Sequence, residues 1–187
     1  HMYIVAGGVR KDLPKGIEKK IIEFLDDLES RLPDYEDLVL NNPTILARIK
    51  DNILLPKEVV WELGVTGIGM RSATGQEYDI RKVNPYAKYD KVEFEVPTAT
   101  YSDALTRMTL KYREMYQTIR IIRQVLDMMP SGDVRAKVDD GSALRWKVPK
   151  GQVYSAVEAS RGEYGYYTVS TGETKPYRVA VRGASFP

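Results

Sequence analysis

Ser102–Met129, SDALTRMTLKYREMYQTIRIIRQVLDMM, is the stretch that decides how this chain folds. Its apolar positions are Leu105, Met108, Tyr112, Met115, Ile119, Ile122, Leu126 and Met129. The steps between them alternate three and four residues, which is the seam of a helix packed nearly parallel or antiparallel to its partners. Pro130-Ser131-Gly132 stops the pattern, so one long helix is predicted over about 101–129. At about 1.5 Å per residue it makes a rod of roughly 42 Å. An element of that length needs a helical layer around it.

Upstream the pattern supplies such a layer. Ile17, Ile21, Ile22, Leu25, Leu28 and Leu32 form one apolar stripe of a first helix, and Pro33 predicts a kink or a fresh start before Tyr35, Leu38 and Leu40. Asn41-Asn42-Pro43 ends that run and starts a short helix over about Pro43–Lys50, with proline at its first position. Pro56 opens another, closed by Gly64 as its C-terminal cap. Tyr3–Val9, YIVAGGV, opens the chain with apolar residues and paired glycines, and reads as the middle of a fold.

Between these helices and the long one lies Gly64–Pro97, GVTGIGMRSATGQEYDIRKVNPYAKYDKVEFEVP, which shows neither helical nor strand periodicity along most of its length. It reads as a long ordered loop held down by Ile68, Met70, Tyr78, Ile80, Val83, Tyr86 and Tyr89. Such a loop in a compact domain is uncommon and often functional. Its tail, Val92–Val96, alternates as a short half-buried strand or extended lead-in.

After the long helix the segment 133–150 is polar and reads as a linker. From Gly151 the apolar period becomes two. Gln152–Ala159, Glu163–Ser170 and Pro176–Arg182 are three strands of an antiparallel meander. On the last of them Tyr177, Val179 and Val181 face one way, Arg178 and Arg182 the other. The fold class is therefore α+β: a helical part over 3–132 built on the long helix, with the ordered loop 64–97 inside it, and an antiparallel β part over 151–187.

Composition removes several classes of function. The chain has 187 residues, 43% of them hydrophobic, enough for a real core. With 28 Lys and Arg against 26 Asp and Glu, and no basic stripe interleaved with aromatics, nucleic acid is not an expected partner. There is no cysteine, so thiolate metal sites are out. The one histidine, His1, precedes Met2 and reads as a cloning scar. Ser-His and Cys-His nucleophile pairs are excluded with it. Gly67-Ile68-Gly69 fails as a dinucleotide fingerprint, because Ser72 stands where the third glycine belongs.

Two charged groups remain. Arg71, Asp79, Arg81 and Lys82 around Tyr78 form a knot, either a buried ion-pair network that fixes the loop or a surface for a partner. Arg161-Gly162-Glu163 is a charged hairpin tip beside Tyr164, Tyr166 and Tyr167. No pair of carboxylates stands out for acid/base work.

The blocks Tyr3–Gly16 (YIVAGGVRKDLPKG), LNNP at 40–43, GVTGIGMRSATG at 64–75, YDIRKVNPYAKYDKVEFEVP at 78–97, IRIIRQVLDMMPSG at 119–132 and GQVYSAVEASRGEYGYYTVSTGETKPYRVAVRGASF at 151–186 occur in one order. Together they resemble the D subunit of proton-pumping NADH:quinone oxidoreductase, respiratory complex I, and its archaeal relatives that oxidise a reduced deazaflavin coenzyme. That family is related to the large subunit of nickel-iron hydrogenases. A tyrosine before the aspartate of YDIRK and a serine before RGE give the sequence an archaeal-like cast.

The resemblance implies an internal fragment of the subunit, inactive by itself, within a membrane-associated electron-transport complex. Quinone, NADH or reduced deazaflavin and iron–sulfur clusters belong to the assembled complex, with none of them bound by this fragment. Partners implied are the small iron–sulfur subunit, other peripheral-arm subunits and the membrane arm, at the cytoplasmic face of the cell membrane. No catalytic, cofactor or metal ligand is assigned. Arg71, Asp79, Arg81, Arg161, Glu163, Arg178 and Arg182 are candidates for subunit contact or a structural network. The alternatives are a fragment of a membrane-bound nickel-iron hydrogenase large subunit and a non-enzymatic helical assembly module. Apolar seam positions left uncovered predict self-association of the isolated fragment through the long helix.

Overall fold

The computed structural model describes residues 3–5, 7–137 and 146–184. His1-Met2, read as a scar, and residues 138–145 of the segment read as a linker lie outside the described residues. Two short strands, β1 (Ile4–Val5) and β2 (Gly8–Val9), are followed by five helices: α1 (Ile17–Tyr35), α2 (Pro43–Ile49), α3 (Lys57–Leu63), α4 (Gly67–Thr74) and α5 (Ile80–Val83). The long helix α6 (Ala104–Asp127) comes next, then strands β3 (Gly151–Ala159), β4 (Gly162–Ser170) and β5 (Arg178–Arg182). The architecture is an α+β mix with a three-stranded antiparallel sheet in the order β3-β4-β5.

Helix α6 has 24 residues, a little shorter than its apolar pattern predicts. Asp103 ends it at the front as N-cap, accepting the Thr106 N–H at 2.7 Å. Ser102 is already outside the helix, its hydroxyl 2.6 Å from that of Ser72 in the interior. Helix α1 runs through Pro33 instead of restarting, and then widens into a π-helical turn over Glu36–Leu40. There the Asn41 N–H reaches back to the Glu36 carbonyl at 3.0 Å. A proline cannot donate its own N–H to the turn before it, and the wider turn lets Leu40 still face inward.

Leu25, Leu32 and Leu40 pack with Tyr112 and Ile119 as one core. The seam of α6 is thus covered along much of its length, but Met108 and Met115 each remain 37% exposed. Leu110 and Ile121, off the seam, are buried. The covered arc of α6 is therefore wider than a coiled-coil stripe, because a second layer lies on its other side.

That layer is the Gly64–Pro97 stretch, where the structure corrects the expectation of a loop without regular structure. Residues 67–74 form α4 and residues 80–83 form α5. Six of the eight residues of α4 are buried, so it has no wet face and no amphipathic period to detect. Val92, Phe94 and Val96 point inward, with Ile121 of α6 beneath them. They belong to an extended lead-in and not to a strand. Its N–H groups find glutamine side chains of α6 instead of a neighbouring strand: Glu93 donates to Gln124 and Glu95 to Gln117, both at 2.9 Å. Gln124 also donates back to the Glu93 carbonyl at 2.7 Å.

The three meander strands lie where the alternation places them, within two residues at each end. Tyr166 pairs with Ser155 on one side and Val181 on the other. At the start of the chain, β1 and β2 form a small hairpin that the sequence does not announce. Gly8 bridges to Arg135 past the end of α6, and a Cβ on Gly8 would stand 2.3 Å from the Val134 carbonyl oxygen.

Candidate functional site

The site is built where α4, α5, α6 and the β3–β4 hairpin meet. Asp79 is the N-cap of α5, accepting the Arg81 N–H at 2.9 Å. It is fully buried, and its two oxygens also hold the Arg81 guanidinium, Nε at 2.9 Å and Nη2 at 2.6 Å. Behind it stands Arg71, 2% exposed, with Nη1 at 3.8 Å from the same carboxylate. Arg71 turns its Nη2 to Glu114 of α6, and Glu114 in turn takes Lys111 at 2.9 Å. Lys111 also donates to the Ser160 carbonyl at the hairpin turn. One chain of charge therefore links the central stretch, the long helix and the hairpin tip.

A second link runs parallel to it. Glu163, 7% exposed, accepts the hydroxyls of Tyr78 at 2.8 Å and Tyr154 at 2.5 Å. Its own N–H donates to the Thr66 hydroxyl at 3.2 Å. Gly67 makes the contact possible. It sits at φ 66°, and a Cβ there would lie 2.3 Å from the Arg161 carbonyl oxygen and 2.6 Å from the Gly162 Cα. Only a residue without a side chain lets two backbones approach so closely.

The electrostatics follow from this geometry. Burial alone would push the Asp79 carboxyl up, but the hydrogen bonds and charge of Arg81, with Arg71 beyond, hold it below the usual carboxylate range. Tyr78 is pushed up to about 12, first by burial and then by its bond to Glu163. Glu158 of β3 goes the other way from Asp79. Burial raises it, and the charge of Asp79 adds to the effect. Glu158 shares a cleft of about 280 Å³ with Arg71, Arg81, Lys111 and Glu114.

Of the residues singled out in the sequence, Arg71, Asp79 and Arg81 come together, and Glu163 joins them through Tyr78. Arg182 reaches the helical part separately, donating to the Gly64 carbonyl at 2.5 Å. Arg161 brings its backbone carbonyl against Gly67 of α4. Arg178 is exposed on β5. Glu114, Lys111, Glu158 and Tyr154 are site residues that sequence reasoning misses. One signal does exist for Glu114: it is the single acid between Ala104 and Leu126, among five Lys and Arg residues.

The family model described as "Respiratory-chain NADH dehydrogenase, 49 Kd subunit" matches residues 1–145 and 140–187. The chain belongs to that family. The NADH-quinone oxidoreductase D subunit of Thermosipho melanesiensis is 59% identical over 187 residues, covering 100% of this chain and 51% of the relative. The corresponding protein of Saccharopolyspora erythraea, of the same name, is 39% identical over an aligned length of 223, covering 100% and 49%. A solved chain from the "membrane-bound sulfane sulfur reductase (MBS), an archaeal respiratory membrane complex" superposes with a TM-score of 0.86 at 37% identity, over 98% of this chain and 50% of that one. This member of the 49 Kd subunit family therefore spans about half the length of the relatives it matches.

The cofactors implied by the family can be tested against the residues present. An iron–sulfur cluster needs thiolates, and the chain has no cysteine, so the fit fails. A pyrophosphate at the N-terminus of α4 meets the Arg161–Gly162 backbone, which already fills that position against Gly67. These residues fit neither group. Among the described residues no helix is long and apolar enough to cross a membrane.

Proposed function

We propose that this chain is the scaffold and contact portion of a D subunit in an ion-translocating NADH, or reduced deazaflavin, quinone oxidoreductase. It belongs to the peripheral arm, at the cytoplasmic face of the membrane, beside the small iron–sulfur subunit. The observation that carries this reading is the use made of the buried charges. Asp79, Arg71, Glu114 and Glu163 spend their bonds on tying three elements together. A carboxylate so engaged fixes the elements around it relative to one another. The match to the 49 Kd subunit family along the chain favours this over the hydrogenase and assembly-module alternatives.

The test uses the full-length subunit in its assembled complex. Glu163→Gln keeps size and shape but weakens the acceptance of two tyrosine hydroxyls. The expected outcome is less assembled complex, with an unchanged rate of NADH-driven quinone reduction per complex. A normal yield of complex with a reduced rate per complex would overturn the scaffold reading and move Glu163 into the chemistry. A second reading, a complex that reduces sulfane sulfur, is favoured by the structural likeness at 37% identity. Polysulfide reduction by the purified complex, without quinone reduction, would decide for it.

A further inference from the structure

The stretch Asp51–Leu55, between α2 and α3, is held in a conformation that its residues disfavour. Asp51 and Ile53 have left-handed φ values of 56° and 54°. Ile53 is β-branched, and for such a side chain that region is a steric outlier. Strain of this kind persists only where the surroundings impose it. The front of α6 imposes it here. The Asp51 N–H donates to Asp103 Oδ2 at 2.8 Å, and the Ala104 N–H donates to the Asn52 carbonyl at 3.0 Å. Arg107 Nη2 donates to the Ile53 carbonyl at 2.8 Å, and the Leu55 N–H to the Ser102 carbonyl at 2.8 Å. Leu55 turns in to the core of Val60, Met70 and Ala73, while Ile53 and Leu54 stay 74% and 56% exposed. Glycine would hold the same φ without the strain, so the isoleucine side chain costs the fold stability and buries little in return.

The groups beside these two apolar side chains are fixed as well. Tyr101, 49% exposed, is anchored by its hydroxyl on Asp51 Oδ1 at 2.8 Å. Arg107, half-buried, is anchored on the Ser102 carbonyl at 3.0 Å and on that of Ile53. An apolar projection beside an ordered tyrosine and arginine has the composition of the energetic centre of a protein interface. Holding it in one shape beforehand removes the cost of ordering it on binding. Binding to a bilayer surface scales with the apolar area buried, whatever its exact shape, and gives no reason to hold a strained residue in place. We propose that Ile53 and Leu54 form a preformed knob that enters a concave apolar pocket on a neighbouring protein subunit, with Tyr101 and Arg107 at its margin. This rests on the reading of the chain as part of a multisubunit complex.

Ile53→Gly in the full-length subunit tests the inference, because glycine relieves the strain and deletes the knob together. The free subunit should melt no lower than the parent, while its incorporation into the complex weakens by at least about tenfold, as expected for an anchor at an interface centre. Ile53→Asn, which also tolerates a left-handed φ, should give the same pair of results. Ala87→Gly, at another left-handed position (φ 52°), should leave incorporation unchanged. Four results would overturn the proposal. The first is normal incorporation of both Ile53 variants. The second is a lower melting temperature in both, which makes the residue structural. The third is self-association of the parent subunit that Ile53→Asn abolishes, which makes a second copy the occupant. The fourth is binding of the parent to phosphatidylserine vesicles that Ile53→Asn abolishes, which makes lipid the occupant. Failure of the wild-type subunit to enter any complex would overturn the functional reading beneath the proposal, and the proposal with it.

Discussion

Replacing Asp79 by alanine is the sharpest test of the charge network. The carboxylate is fully buried and holds Arg81 through two charge-assisted hydrogen bonds of 2.9 and 2.6 Å, with Arg71 3.8 Å away. It also caps α5. Losing a cap costs about 0.5–2 kcal/mol, and removing one partner of a buried ion pair costs about 3–5 kcal/mol. These figures share the same side chain and do not add, so about 3–5 kcal/mol is the expected loss. In a chain of this size 1 kcal/mol moves the melting temperature by roughly 2–4 °C, giving a drop of about 6–20 °C. Glu62→Ala, at an exposed position of α3, serves as control and should stay within about 0.5 kcal/mol of the parent. Thermal unfolding followed by circular dichroism measures both. The pH dependence supplies a second readout. The folded carboxyl lies below its unfolded value, so its contribution is present at neutral pH and is lost as pH falls from about 4 through the lower folded value. Asp79→Ala should therefore lose part of the parent's acid sensitivity. Equal, small shifts for Asp79→Ala and Glu62→Ala would refute the reasoning and leave partner binding as the explanation of the knot.

Glu158 is held above its unfolded pKa, so the native state binds its proton more tightly and stability falls as pH rises between the two values. Glu158→Gln, which can still accept the Ile80 N–H, should melt higher than the parent at pH 7, with the difference vanishing below about pH 4; a lower melting point at pH 7 would contradict this. Gly67→Ala must accommodate a Cβ 2.3 Å from a backbone oxygen at a left-handed φ of 66°, and should cost about 2–5 kcal/mol, read as a lower urea midpoint. A midpoint equal to the parent's would show that the hairpin tip moves aside freely. Self-association through the long helix, the expectation from its seam, points to Met108 and Met115, since Ile119 is only 2% exposed and lies in the core. Sedimentation should show the parent chain above monomer mass and Met108→Lys shifted toward monomer; a monomeric parent at high concentration would sink the expectation.

Local physics makes part of this molecule legible in its residues. The three-four spacing of α6, the period of two in the β strands, the proline that opens α2 and the glycine that closes α3 each act within a few residues, and each element lies close to where its pattern puts it. The crowding of Arg71, Asp79 and Arg81 is visible as well, and so are the blocks that mark the family. What the pattern cannot hold is anything whose cause lies far along the chain. Helix α4 has no polar face because other elements surround it, so it carries no period to read. The Val92–Val96 segment looks like a strand but is satisfied by Gln117 and Gln124 of α6, 22 and 31 residues after the groups they accept from, where amide side chains replace a sheet partner. Glu114 completes the ion network only because packing brings α6 against α4. The orientation of the sheet is decided in the same way. Alternation fixes that Val179 and Val181 share a face, but which face meets the helices depends on Tyr78, Ile80 and Gly64 offering polar partners to Glu163, Glu158 and Arg182. A strand's pattern determines its two sides, and only the tertiary structure determines which of them is inside.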